Sequence, residues 1–468
     1  MTSNELRATS GLAAIYSVRM AGLFMVLPVF VLYADVLPGA TPFLMGLALG
    51  IYGLTQALLQ IPFGMMSDRV GRKPLIALGL LLLIAGSVVA ALSESVYGII
   101  VGRALQGAGA VAAVVLALTA DLIAEERRTR ALAVIGLTIG VTFTVAMVLG
   151  PVIDRSFGLA GIFWLTALLG GVALLLLYFW VPMPLRYSPH PDMVPVPGGL
   201  RHVLRDAELM RLNAGIFILH TTLAANFLVL PVMLVERLGL ASDFHYRVYL
   251  PVLVLGFLLM IPAVILAERK RVLKPVLLGA IVLLILVQVM LPSAYGWFWL
   301  GLGLVLFFAA FNLLEATLPS MVAKAAPVAD KGTAMGVFST SQFLGIFAGG
   351  VLGGWVLTHW GTTGVFGIGL LAASVWLVLG LMMAPIAHLS SRAYALPFGW
   401  KDSVAELNAL LGQMGGVAEA RVSAREAAIY LKVDPARFDE AALRAVLGRQ
   451  DHADASMRRP PAQGVPDG

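Results

Sequence analysis

Cysteine is absent from all 468 residues of the chain. That excludes disulfides, thiolate metal sites and cysteine nucleophiles together. Charge is scarce as well: Asp, Glu, Lys and Arg make up 12% against 59% hydrophobic residues, and the mean hydropathy is +0.91. Such a balance excludes an ordinary soluble protein. The small surplus of +6 does not point to nucleic acid, because Lys and Arg concentrate in short loops as a membrane topology demands. The N-terminus shows no cleavable signal, since Met1–Thr9 mixes acid and base ahead of a run too long for a signal h-region. No nucleotide loop, metal-ligand cluster or nucleophile–base arrangement stands out, so neither an enzyme nor a cofactor or metal is expected.

Long apolar runs dominate what is present. A spanning helix needs ~20 mostly apolar residues. That rule places helices over 10–34, 43–64, 74–92, 97–122, 131–153 and 161–181, then 211–234, 248–266, 275–291, 296–319, 333–357 and 363–386. The fold expected is an all-α polytopic membrane protein of twelve spans in two six-helix bundles, 1–181 and 211–389. The 49 glycines suit close helix packing in lipid. Between the bundles, 182–210 is a proline-rich linker ending in a short interfacial helix. A small α+β unit follows over 390–455, then a disordered tail over 456–468. In that unit Tyr394–Phe398, Val417–Val422 and Ala427–Val433 have strand character. Ser403–Met414 and Asp439–Leu447 have helical spacing, so the order is βαββα, a near-complete ferredoxin-like arrangement with a doubtful last strand in 449–457.

The break between the second and third spans holds the sequence Asp68-Arg69-Val70-Gly71-Arg72-Lys73, with Gly64 just before it. Bare charges and turns are too costly in hydrocarbon, so this is a tight basic loop at a membrane surface. A weaker copy lies about two hundred residues on, where Ile261-Pro262, Glu268-Arg269 and Lys274-Pro275 echo Ile61-Pro62, Asp68-Arg69 and Lys73-Pro74. A repeat at half the membrane length is the mark of a secondary transporter built from two related bundles. One set of alternate loops holds, among others, Arg69, Arg72, Lys73, Arg127, Arg128, Arg130, Arg201, Arg205, Arg269, Lys270 and Arg271; the other holds only Arg155, Arg237 and Arg247. The basic set belongs on the cytoplasmic side, which puts both termini there in a bacterial inner membrane.

Ionisable groups inside spans are functional candidates by default. Glu315 is the strongest, because a carboxyl enclosed by apolar side chains can exchange protons near neutral pH. His220 is its helper, and Asn312 shares the face of the same helix. Glu315 could instead be a protonated or salt-bridged strut, and His220 a satisfied packing residue. Arg19 and Arg103 also lie well inside spans; a guanidinium keeps its proton, so each can tune a neighbouring acid without carrying a proton. For Arg103 an interhelix anchor is an equal alternative. Phe24, Met25, Met147, Phe227, Phe307 and Phe311 are candidates for a greasy solute pocket.

These motifs resemble those of the major facilitator superfamily, particularly its twelve-helix drug:proton antiporter branch. Gly64, Asp68, Arg69, Gly71, Arg72 and Lys73 match the superfamily's loop motif, and Arg103, Gln106, Gly107 and Gly109 match that of its fourth helix. Gly150-Pro151 matches the centre of the antiporter motif, but Ile153-Asp154 stands where Gly-Gly is expected. Phe311-Asn312, Glu315-Ala316, Lys331-Gly332 and Tyr430 resemble members carrying an extra cytoplasmic ferredoxin-like domain. The resemblance implies that Gly64, Asp68, Arg69, Gly71, Arg72 and Asp121 form a conformational latch between bundles. It further implies proton-coupled export of small hydrophobic or drug-like solutes by alternating access. Import of a small nutrient and a membrane sensor acting through 390–455 remain the alternatives. The partners expected are a small-molecule solute, protons and the lipid bilayer, with self-association or a cytoplasmic partner through 390–455.

Overall fold

The computed structural model describes residues 2–447 apart from 124, 184–198, 328–329, 386–389, 402, 425–427 and 435–436. Most of the expected linker, the doubtful last strand and the tail therefore lie outside the described residues. The first half comprises α1 (Ser3–Phe24), α2 (Pro42–Val70), α3 (Arg72–Ala91), α4 (Val96–Ala108), α5 (Ala112–Leu122) and α6 (Glu125–Phe179). After a short α7 (Gly199–Arg205), the second half runs through α8 (Ala207–Asn226), α9 (Leu230–Leu238), α10 (Tyr246–Arg269), α11 (Leu273–Met290), α12 (Gly296–Ala325) and α13 (Lys331–Leu381).

Among the described residues nine segments are long and apolar enough to cross a membrane. Two of them, 130–179 and 331–381, are too long for one crossing. A straight helix of 50 residues would measure about 75 Å against a hydrocarbon core of ~30 Å. Each departs from helical geometry at one glycine in the left-handed region, Gly158 at φ 62° and Gly361 at φ 64°. With these doubled and α1 added, the spans number twelve.

The repeat seen in the sequence is also a repeat of backbone conformation. Gly71, between α2 and α3, has φ 101°, and Arg271, between α10 and α11, has φ 57°. Val29 and Val229 share φ −122° with ψ of −39° and −33°. They mark matching breaks in the first and seventh spans, which the sequence pattern reads as continuous over 10–34 and 211–234. Pro28 and Pro231 sit at these breaks, where a missing N–H and a ring clash interrupt the ladder. The fourth span, expected unbroken over 97–122, divides at Gly109–Val111. There the backbone passes so close to α3 that a Cβ on Gly109 would clash with the Gly79 carbonyl.

The expected loop between the second and third spans is a further correction. α2 runs on through Val70 and α3 begins at Arg72, so Gly71 alone is the joint. Asp68 and Arg69 lie in the last turn of α2, and Arg72 and Lys73 in the first turn of α3. Only glycine accepts Gly71's φ without strain.

The halves meet where α2 crosses α13. A Cβ on Gly350 would stand 2.9 Å from Gly50 N and 3.0 Å from Gly50 Cα, and one on Gly50 2.8 Å from Phe347 O. Gly46-xxx-Gly50 therefore faces Gly350-xxx-Gly354, the small-residue packing that lets helices touch in lipid. Near the Gly158 end, Arg155 of the first half also lies 3.8 Å from Asp243 of the second.

Past residue 390 three strands form an antiparallel sheet in the order β1 (Ser390–Ala395), β3 (Ala428–Val433), β2 (Val417–Ser423). The leading strand sits earlier than the expected Tyr394–Phe398, because Pro397 cannot donate to the ladder and the chain turns at Phe398–Trp400. Helices α14 (Val404–Gly412) and α15 (440–447) cover one face, with Leu407, Leu411, Leu443, Ile429, Leu431 and Val433 in its core. This is the split β-α-β-β-α arrangement. On the opposite face of β3, Tyr430 and Lys432 are buried too. Lys432 Nζ donates to the carbonyls of Ala326 at 2.8 Å and Ala325 at 3.4 Å, the last carbonyls of α12. Burial pushes the Lys432 ammonium below the usual lysine range. The small unit is thus pinned to the end of a membrane helix.

Candidate functional site

The second half brings three polar side chains from α8, α12 and α13 together. Gln342 donates from its amide nitrogen to Glu315 Oε1 at 2.9 Å and lies 3.0 Å from His220 Nε2. His220 Nε2 is 3.7 Å from Glu315 Oε2. The imidazole's other nitrogen, Nδ1, is 3.2 Å from the Ile216 carbonyl, which can only accept. A proton on Nδ1 leaves Nε2 as an acceptor, so one Gln342 amide group satisfies histidine and carboxylate at once. His220 is buried; 35% of the Glu315 side chain remains accessible, but its Oε2 is buried and has no hydrogen-bond partner among the described residues.

Aromatic rings extend this trio toward the first half. His220 lies 5.7 Å from Phe311, Phe311 is 6.1 Å from Phe143, and Phe143 is 4.8 Å from Phe24. Of the expected pocket residues, Phe24 and Phe311 take part in this wall. Phe307 stacks behind Phe311 at 6.4 Å, and Phe227 packs against Phe308 at 6.4 Å. Met25 and Met147 are fully buried in the same core.

Asn312 shares the helix with Glu315, yet no hydrogen bond joins them among the described residues. Gln342 was missed in the sequence; an amide within the run Ser339-Thr340-Ser341-Gln342 of an otherwise apolar span was the signal, because a polar side chain in lipid needs a partner. Arg103 has the geometry of an anchor. It donates to Gly22 O at 3.2 Å and Gln106 Oε1 at 3.0 Å, reaches Ala48 O at 3.5 Å, and lies 4.9 Å over the Tyr52 ring. Gln106 passes the bond on to Ser87 Oγ at 2.8 Å. These contacts tie α1, α2, α3 and α4 together, away from Glu315. Arg19, on α1, lies 5.9 Å from the same Tyr52 ring.

At the Gly71 joint, Arg72 Nε sits 3.1 Å from Asp121 Oδ2, with side chains 7% and 1% exposed. Arg72 also donates to Ser67 Oγ, and Lys73 to the Val181 carbonyl at the end of the sixth span. Arg69 is exposed. The side chain of Asp68 lies outside the described residues. A Cβ on Gly64 would meet only Ala113 Cβ at 3.9 Å, so packing does not demand glycine there. Among the described residues no group of His, Asp and Glu is arranged to hold a metal.

The sequence profile of the Major Facilitator Superfamily matches residues 12–350. The chain belongs to the Major Facilitator Superfamily. Among its superfamily relatives, the inner membrane transport protein YajR of Escherichia coli K12 is 45% identical over 93% of this chain and 95% of its own length. A transporter of Buchnera aphidicola is 35% identical over 74% of this chain and 89% of its own. The multidrug resistance protein MdtL of Shigella flexneri is 33% identical over 28% of this chain and 34% of its own. The crystal structure of the human organic anion transporter MFSD10 (TETRAN) superposes with a TM-score of 0.61 at 19% identity, covering 81% of this chain and all of that one, which shows the shared fold. This superfamily member is a multi-pass inner membrane transporter, with the small α+β unit beyond its twelve spans.

Proposed function

We propose that the protein is a proton-coupled secondary transporter that exports small hydrophobic or drug-like solutes by alternating access. Glu315 is the proton carrier and His220 its helper. The observation that carries this reading is the Glu315–Gln342–His220 trio, a carboxylate within a span held by neutral partners from two other helices. Ionised, Glu315 accepts from Gln342. Protonated, it gains an O–H donor, which can turn to the Gln342 amide oxygen and swing the amide nitrogen away from His220 Nε2, or turn to His220 Nε2 itself. Proton uptake thereby rearranges the contacts that join α8, α12 and α13, the kind of discrete change that alternating access needs.

Export is supported by the segment shared with MdtL, whose name records multidrug resistance. The concentration of basic residues in one set of loops supports a cytoplasmic location for both termini. The buried Arg72–Asp121 pair, which joins α3 to α5 within the first half, shapes the latch surface that sets the balance between the two open states, with Arg103 bracing the same half. The unit over 390–455 is regulatory, through its contact with α12.

In proteoliposomes, using a solute identified by thermal-shift screening, Glu315→Gln should abolish gradient-driven transport while solute exchange persists. Full gradient-driven transport by this variant would refute Glu315 as the carrier. Solute accumulation in the sense of the imposed proton gradient, rather than against it, would replace export by import.

A further inference from the structure

Arg19 is the buried charge that the proton trio and the latch leave unused. It is 1% exposed, and among the described residues none of its three guanidinium nitrogens has a hydrogen-bond acceptor. Among the described residues no carboxylate pairs with it. Arg103, 4.9 Å from the same Tyr52 ring, has acceptors from three residues. A guanidinium does not shed its proton, and burying an unpaired ion costs several kcal/mol. A cation left in that condition on an interior helix face needs an anion that the described residues do not supply.

Its surroundings fit such a visitor. Tyr52, Gln56 and Gln60 recur at four-residue spacing on one face of α2, each at most 3% exposed. The Tyr52 hydroxyl, both polar atoms of Gln56 and the Gln60 Oε1 have no partner. Tyr16, three residues before Arg19, packs against the buried cluster that holds Tyr52 and Phe343, the residue after Gln342 of the proton trio. That cluster draws on both halves, with Met20 and Leu23 from α1 and Phe343 and Ile346 from α13.

We propose that Arg19, with Tyr52 and Gln56, forms the anion subsite of the transport pathway, and that the solute is a lipophilic carboxylate. The guanidinium takes the carboxylate as a two-pronged pair. The Tyr52 hydroxyl and the Gln56 amide donate to its remaining lone pairs, and the apolar body lies along the aromatic wall. This rests on the transporter reading above and adds a substrate class to it.

The test uses the full-length protein in nanodiscs, at pH 7 and without a gradient. Naphthalene-2-carboxylate and its uncharged analogue naphthalene-2-carboxamide are titrated by calorimetry. The carboxylate should bind at least tenfold more tightly than the carboxamide. Arg19→Gln should reduce that preference to within twofold, and Arg19→Lys should keep part of it. Equal binding of the two probes by the unaltered protein, or no saturable binding of the carboxylate, overturns the proposal. That comparison needs no variant, so it stands even where Arg19→Gln does not fold. It is also separate from proton coupling: a carboxylate preference with full gradient-driven transport by Glu315→Gln would remove the proton assignment and leave the anion subsite.

Discussion

Lys432 ties the C-terminal unit to the end of α12, the helix that bears Glu315. Replacing it by Met keeps most of the stem and removes two donated hydrogen bonds to Ala326 and Ala325. A hydrogen bond from a charged group contributes about 1.5–3 kcal/mol, and the negative end of a helix adds to it. Desolvation of the ammonium offsets part of this, as its lowered pKa records. A net loss of ~1.5 kcal/mol, roughly tenfold in the docked population, follows. Because the chain has no cysteine, spin labels at Lys270→Cys and Glu406→Cys, both exposed positions, report the distance between the unit and the membrane part without background. Lys432→Met should broaden that distance distribution and add a longer component. The pH dependence has a definite sign. Docking lowers the lysine's pKa, so the docked state binds fewer protons, and docking strengthens as pH rises from the lowered pKa to the ordinary value near 10.4. Below that window docking is level with pH. An unchanged distribution in Lys432→Met, or docking that weakens through the window, would refute the reasoning.

Three further outcomes are expected. Asp121→Leu leaves Arg72 buried without its carboxylate and should lower unfolding free energy by about 3–5 kcal/mol, while Arg72→Met combined with Asp121→Leu should recover most of the loss, as thermal melts of the purified proteins would show. Gly350→Ala sets a methyl against Gly50 and the Gly46 carbonyl, so it should separate α2 from α13 and open the Gly158 end, read as a longer spin-label distance across that contact. Copper(I) or zinc added to the full-length protein should not raise its melting temperature, since no thiolate exists to hold a soft metal; a rise at micromolar metal would contradict this.

Span number, the two-bundle repeat and the α+β character of the C-terminal unit were legible because they follow from length and periodicity. An apolar run of some twenty residues has one stable place, and a charge inside it has few reasons to be there. Glu315, His220 and Arg19 were therefore visible as costly residues long before any contact was known. The broken helices were less legible, since Pro28 and Pro231 disrupt hydrogen bonds without interrupting hydropathy.

Sequence alone determined which residues pay a solvation cost in lipid, because that cost belongs to each side chain and its neighbours along one helix. Only the tertiary structure decided which of those costs are met, because partners arrive from helices distant in the chain. Gln342 joins Glu315 to His220 across three helices, and Asp121 reaches Arg72 across the Gly71 joint. Arg103 finds its acceptors on neighbouring helices, whereas Arg19, an identical side chain on the same aromatic ring, finds none among the described residues. Nothing in the two arginines' own segments separates an anchor from an unpaired cation; the difference lies in what the packed helices bring within 3.5 Å.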